Sequence, residues 1–385
     1  MRVLQVTGTL EPSYGGPPVV LNHLTDGLIK RGHVVDVAVS DAADAAWLSN
    51  VPGRTFAFGT GIGRYGYSRQ MRSWLRSHVA DYDAVLVHGI WQYHSTVVRR
   101  ICLATQVPYF VFVHGALDPW FERRYPAKHV KKSIYWRLFE HRALRDARAV
   151  LFTCEEERRL ARMSFSPYRA AESIVDVGVP EPPADAERQR AEFLAEFPGL
   201  ADKQIVLFLS RIHPKKGCDL LIRAFAVACQ DRPSLRLVMA GPDEAGTRAE
   251  LEALVHALGI GDRVVWTGML GGKEKWGAYR AADVFALTSH SENFGVVVPE
   301  ALACGLPVLI TDKVNIWREI DDAGAGFVER DSVEGATALL ERWLTLTPVE
   351  RDDMRVRART CFTDQFDEDR SAAKFVAMLS GAIAS

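Results

Sequence analysis

Two carboxylates, Glu292 and Glu300, bracket a glycine turn in the stretch HSENFGVVVPEALACGLPVLIT. The strand-like run DVFALTS precedes them, and a helix is expected from Pro299 to Gly305, because proline loses nothing by lacking an N–H in a first helical turn. Unpaired N–H groups at such a start attract anions, and Gly295 lets backbone approach a ligand closely. Carboxylates repel phosphate but accept hydrogen bonds from sugar hydroxyls. A molecule with a phosphate core and hydroxyl-rich rings on both sides, a nucleotide sugar, reconciles the two. A plainer reading stands beside it: Glu300 complements the helix dipole and Glu292 is solvated. Paired carboxylates also serve glycoside hydrolysis, although neither glutamate has an obvious apolar pocket to raise its pKa.

Cations follow another strand in LFLSRIHPKKGCDLLIRAF. Arg211 and Lys216, between strand and helix, could neutralise a departing pyrophosphate in place of a divalent metal; the alternative is a solvated basic turn. Lys215 reads as solvent-facing and His213 as a loop residue. After the first strand, Gly15 and Gly16 precede a helix, which suits phosphate or sugar approach or simply a tight turn. Two further strands end in His-Gly, at His88 and His114. A histidine there can orient a sugar hydroxyl or move a proton. His114 is favoured, with Asp118 and an aromatic nearby, while His88 reads more readily as structural. No third or fourth ligand for a metal can be placed. Asp81–Tyr82–Asp83 resembles a metal-nucleotide motif but precedes its strand, the wrong end for a ligand.

These residues need elements to hold them. RVLQVTG, VVDVAVS, DAVLVHG and YFVFVHG read as buried parallel strands, and so do QIVLFLS, LRLVMAG, RVVWTGM, DVFALTS and LPVLITD. Amphipathic stretches such as VVLNHLTDGLIKRG and CDLLIRAFAVACQ alternate with them. The pattern implies two Rossmann-like, doubly wound α/β domains whose strand ends can face a shared cleft. Residues 177–190, rich in proline and charge, read as the linker. The expected domains are 1–178, joined by a terminal helix at about 366–385, and 179–365.

The length of 385 residues suits about two domains. The net charge of −1 argues against a nucleic-acid partner. Six scattered cysteines without zinc spacing suggest reduced thiols and a cytoplasmic setting. The first residues lack a signal-peptide pattern, and no apolar run approaches a membrane span. Residues 118–148 are basic and aromatic, with nine Lys/Arg against four Asp/Glu. Such a segment can lie on anionic lipid at the inner face of a cell membrane, meet an anionic acceptor, or be an ordinary helix with a solvated basic face.

The chain as a whole resembles the family 4 glycosyltransferases of the GT-B fold. The resemblance rests on E-x7-E at Glu292 and Glu300, on R-x4-K-G at Arg211, Lys216 and Gly217, on the Gly15–Gly16 pair and on His114. It implies retaining, metal-independent transfer from a UDP- or GDP-linked sugar to a glycan or lipid-linked acceptor, with no cofactor, in surface polysaccharide or glycolipid synthesis. By position, Glu300 would hold ribose, Glu292 and His114 the donor sugar, and Arg211 and Lys216 the diphosphate. Main chain at Gly15, Gly16 and Asn293, Phe294, Gly295 and Val296 would contact phosphate or sugar. The stretch from Thr267 to Leu270, with Met269, would approach the base. Ser210 departs from the family, which often has glycine before the arginine. Two other readings remain: an epimerase of nucleotide sugars, which needs no acceptor, and a non-catalytic binding protein.

Overall fold

Short runs of Val, Ile, Leu and Phe ending in turn residues form strands here because both faces of a parallel sheet are covered by helices, so alternation with polar residues is lost. The computed structural model describes residues 1–124, 126–243 and 246–384, and the side chains of all of these except Phe121, Arg123 and Ala384. The chain divides into two units, Met1–Pro180 with Glu368–Ser385, and Glu181–Asp367.

The first unit holds β1 (Arg2–Thr7), β2 (Val34–Val39), β3 (Arg54–Ala57), β4 (Ala84–His88), β5 (Tyr109–Phe112), β6 (Ala149–Phe152) and β7 (Glu172–Ile174). They form one parallel sheet in the order β3-β2-β1-β4-β5-β6-β7. Successive residues feed opposite cores: Leu4, Val6, Val85, Val87 and Val111 on one face, and Val3, Ala84, Leu86, Phe110 and Phe112 on the other. Helices Gly16–Lys30 and Glu368–Ala384 cover the second face through Leu28, Phe375 and Leu379. They approach closely at Gly27, where an added Cβ would lie 2.7 Å from that of Ala372. The terminal helix thus packs on the second face of the first sheet.

The second unit holds β8 (Gln204–Leu209), β9 (Leu235–Ala240), β10 (Val264–Gly268), β11 (Val284–Leu287), β12 (Val308–Thr311) and β13 (Gly326–Glu329). Its sheet is also parallel, ordered β10-β9-β8-β11-β12-β13. In both sheets the order turns back beside the first strand, between β1 and β4 and between β8 and β11. A doubly wound sheet opens a crevice at that place, beyond the carboxyl ends of its strands.

The structure differs from the sequence reading in several elements. β3, β7 and β13 are short edge strands with half-exposed residues, and β6, directly after the basic segment, is a further strand that the sequence reading did not name. Helix Ala186–Glu196 begins inside the stretch read as linker. The helix expected at Pro299 starts at Val297, so the proline stands within its first turn. The basic segment is broken into Trp120–Arg124, Pro126–Tyr135, a π-turn at Trp136–Glu140, and His141–Arg145. Tyr125 of that segment and Ser385 of the expected terminal helix lie outside the described residues.

Candidate functional site

In the second unit, Arg211 and Lys216 follow β8 and Glu292 follows β11, so the two loops meet where the strand order reverses. The loops are fastened to each other by one main-chain and one side-chain hydrogen bond. His290 N donates to Lys215 O at 2.9 Å, and Thr288 Oγ1 donates to Gly217 O at 2.8 Å. Gly217 has φ +61, and an added Cβ would stand 2.0 Å from Thr288 O. Only glycine fits there, which explains the residue after Lys216. The fastening brings the Lys216 ammonium against the Glu292 carboxylate as a buried ion pair. Burial alone would raise the Glu292 pKa. Lys216, Lys215 and Arg211 outweigh it and hold the carboxyl below its usual range. The Glu292 backbone is itself gripped, its N–H donating to Lys313 O at 2.8 Å and its carbonyl accepting from Asn315 N at 3.0 Å.

Gly295 takes φ +69 so that its backbone folds over Glu292, whose Cγ would be 3.0 Å from an added Cβ. Phe294 is buried, edge-on to Phe366, so only its main chain faces outward chemistry. Asn293 and Val296 are half-buried on either side. Glu300, in helix Val297–Ala303, does not join the Lys216 pair. Lys275 Nζ donates to it at 2.8 Å and Tyr279 Oη at 3.0 Å. Burial, then the Glu300 charge, pushes the Tyr279 pKa well up, so the phenol keeps its proton. Sequence reasoning missed both partners. They sit four residues apart on helix Gly272–Ala281, a same-face spacing, but nothing in that spacing points to Glu300. Met269, after β10, is 70% exposed. Ser210 is compatible with the tight turn because Gly241 makes the room: an added Cβ at 241 would meet Ser210 O at 1.8 Å.

In the first unit, Gly15 ends a short turn with φ +79, and helix Gly16–Lys30 starts at once, with open space around the Gly16 Cα. His88 closes β4 and His114 stands just past β5. The two rings stack with Phe112 and share a hydrogen bond of 3.0 Å between Nδ1 of His88 and Nε2 of His114. His88 also meets Gln5 Oε1 at 2.7 Å, and is buried. Burial pushes the His114 pKa down to about 4, so the ring is neutral near pH 7. It takes φ +48, uncommon for a side chain of this size, and Gly115 N beside it donates to Glu157 at 2.6 Å. Asp118 accepts from Trp120 N at 2.8 Å and so starts the next helix. Asp83 accepts from Arg2 N at 2.7 Å, at the amino ends of the strands. Among the described residues, no three His, Cys, Asp or Glu side chains come together as a metal ion would need.

Comparison with known proteins matches each unit separately. Residues 15–174 fit the glycosyl transferase 4-like domain, and residues 190–360 fit the glycosyl transferases group 1 domain. The chain is similar to a D-inositol 3-phosphate glycosyltransferase of Saccharomonospora viridis, 35% identical over 50% of this chain and 46% of that one. It is also similar to a mannosylfructose-phosphate synthase of Agrobacterium fabrum, 36% identical over 36% of this chain and 31% of the relative. In both cases the matched stretch spans less than half of the relative. Among solved structures, HepE of Anabaena in complex with UDP and glucose shares the fold with a TM-score of 0.78, 18% identity and 99% of each chain covered. Sucrose-phosphate synthase of Thermosynechococcus elongatus does so with a TM-score of 0.77, 18% identity and full coverage of both chains.

Proposed function

We propose, on the premise that the chain belongs to the glycosyltransferases through a 4-like domain and a group 1 domain, that it moves a sugar from a nucleotide-sugar donor to an acceptor hydroxyl with retention of configuration. The observation that carries this reading is the Lys216–Glu292 pair at the reversal point of the second sheet, with Arg211 on the same loop. A cation held there before the donor arrives needs no reorganisation as charge builds on a departing diphosphate. HepE binds UDP and glucose on the same fold, which supports a nucleotide sugar as donor.

In this reading Arg211 and Lys216 hold the diphosphate, Glu292 and His114 the sugar, and Glu300 the ribose. As the bond from the anomeric carbon to the phosphate oxygen breaks, its electron pair goes to the diphosphate. The acceptor oxygen bonds to the same face of the anomeric carbon, and its proton passes to the leaving phosphate oxygen. No metal ion takes part, because the two side-chain cations supply the charge. The acceptor is a glycan or a lipid-linked saccharide, and the protein works on the cytoplasmic side of a membrane.

Incubating the purified protein with UDP- and GDP-sugars, with and without saccharide acceptors, tests the reading. Acceptor-dependent release of nucleoside diphosphate with an unchanged anomeric configuration supports it. An isomerised donor formed without any acceptor would replace it with epimerisation, and tight binding without turnover with a binding role.

One further observation favours contact with a membrane surface. Val130, Ile134 and Leu138, at i, i+4 and i+8, are 63%, 60% and 53% exposed, and exposed Lys128, Lys131 and Arg137 flank them. Apolar side chains entering the headgroup layer between cations that meet anionic lipid is the pattern of an interfacial helix. Among the described residues no helix is long and apolar enough to cross a membrane.

A further inference from the structure

A polar chain runs through the apolar core of the first unit, and its protons can be placed one by one. Gln5 lies in mid-β1, fully buried, paired in register with Leu86 of β4. His88, two residues beyond Leu86, shares its sheet face, and helix Gly16–Lys30 lays Thr25 over that face. Thr25 Oγ1 is 2.7 Å from Leu21 O, one helical turn back. A carbonyl only accepts, so the hydroxyl proton is spent there. Thr25 Oγ1 must then accept at its 2.5 Å contact with Gln5, which fixes the Gln5 amide nitrogen toward it. That leaves Gln5 Oε1 facing His88 Nε2 at 2.7 Å, so Nε2 carries the His88 proton. The other nitrogen of a neutral His88, Nδ1, is bare and accepts from His114 Nε2 at 3.0 Å. The His114 proton is thereby placed on Nε2, and its Nδ1 is left with a lone pair.

We propose that Thr25, Gln5 and His88 are positioning residues that hold His114 in the Nε2–H tautomer, so that its Nδ1 presents a hydrogen-bond acceptor to a hydroxyl of the donor sugar. The proposal rests on the functional reading above for the ligand, but the proton chain itself does not. Burial disfavours protonation of both rings, with His88 pushed well below its ordinary value and His114 to about 4, which keeps the chain from reversing by gaining a proton. A lone pair at that place selects an O–H and repels a phosphate oxygen. A chain of opposite polarity would present an N–H and do the reverse. This also accounts for a buried glutamine in mid-strand, which costs stability unless every polar atom is matched.

The test is the full chain labelled with 15N-histidine, read by long-range 1H–15N correlation near pH 7.5. The wild type should show His88 and His114 both as neutral Nε2–H tautomers. Thr25→Val keeps the shape and removes the anchor, so either Gln5 orientation becomes equally good. His114 should then appear as a mixture with the Nδ1–H form, while Thr25→Ser restores the wild-type pattern. With donor and acceptor supplied, Thr25→Val should lower kcat ~5–10-fold, the worth of about one hydrogen bond, with little change in donor KM. An Nδ1–H or doubly protonated His114 in the wild type overturns the proposal. So does a Thr25→Val spectrum identical to it. If Thr25→Val fails to fold, the wild-type spectrum alone decides. A wild type with the expected tautomers but no transfer activity would count against the functional reading and leave the proton chain standing.

Discussion

Lys216 and Glu292 form an ion pair in which the lysine side chain is 9% exposed and the glutamate 16%. Two loops from adjacent strands must meet to make it, and Lys216 is the first of the cations that offset the burial of Glu292. Removing one partner of a buried pair typically costs ~3–5 kcal/mol, because the remaining charge loses its compensation. Lys216→Met should therefore destabilise the protein by ~3 kcal/mol in denaturant unfolding as well as abolish transfer. Adding Glu292→Gln should recover much of the stability and none of the activity. Equal stability of Lys216→Met and wild type would show that the pair is not coupled as described.

Glu300 is expected to behave differently. Lys275 and Tyr279 both donate to it, so Glu300→Gln keeps an acceptor oxygen for one of them and should lose no more than ~1 kcal/mol of stability. Donor binding should weaken ~10-fold or more, as expected when a charged acceptor is lost from a hydroxyl contact. Tyr279→Phe and Lys275→Ala should weaken it less, since they only orient the carboxylate. Steady-state kinetics against donor concentration checks this. An unaltered donor KM in Glu300→Gln would remove Glu300 from the site.

The histidines make stability depend on pH in a definite direction. Burial holds His88, His94 and His114 neutral in the folded chain, the last two with pKa pushed down to about 4 from 6.5. Between these values the unfolded chain binds more protons, so stability falls as pH drops from 6.5 toward 4. Glu140 opposes this. Burial raises its pKa from 4.5 to about 7, so the folded chain holds the extra proton there and gains stability as pH drops through the same range. Three histidines outweigh one glutamate. The Tm should fall from pH 7 to pH 5, and more steeply in Glu140→Gln. A flat or rising profile on acidification would contradict the assignment.

The exposed row of Val130, Ile134 and Leu138 should bind lipid only if charge and apolar contact act together. Sedimentation with vesicles containing phosphatidylglycerol at low salt should capture the wild type and lose it with Val130→Ser/Ile134→Ser/Leu138→Ser. Capture should also fall as salt rises. Undiminished binding of the triple variant would place any membrane contact elsewhere.

Much of the fold was legible because buried parallel strands are continuous apolar runs, as in VLFL or VLIT, and they end in the residues that turn the chain. β3, β7 and β13 were not legible because edge strands are short and half-exposed, so their composition is that of loops. The charged residues after β8 and β11 stood out because charge beside a buried strand is costly without a purpose. Lys275, Tyr279, Gln5 and Thr25 did not stand out. Their roles depend on which side chain of another element they meet, and single-sequence spacing carries no such information. The choice between His88 and His114 was legible only in part. The sequence showed two equivalent His-Gly ends, and only the hydrogen bonds to Gln5 and between the rings show one buried inside the chain and the other at its end.

The most direct test of the central claim, that the cations after β8 hold the donor diphosphate without a metal, is calorimetric titration of the whole protein with UDP and GDP in excess EDTA. Wild type should bind one of them saturably, and Arg211→Ala should bind it at least ~10-fold more weakly, as expected for loss of a charged hydrogen bond. Equal affinity in the two proteins, or binding that disappears on chelation, would contradict it.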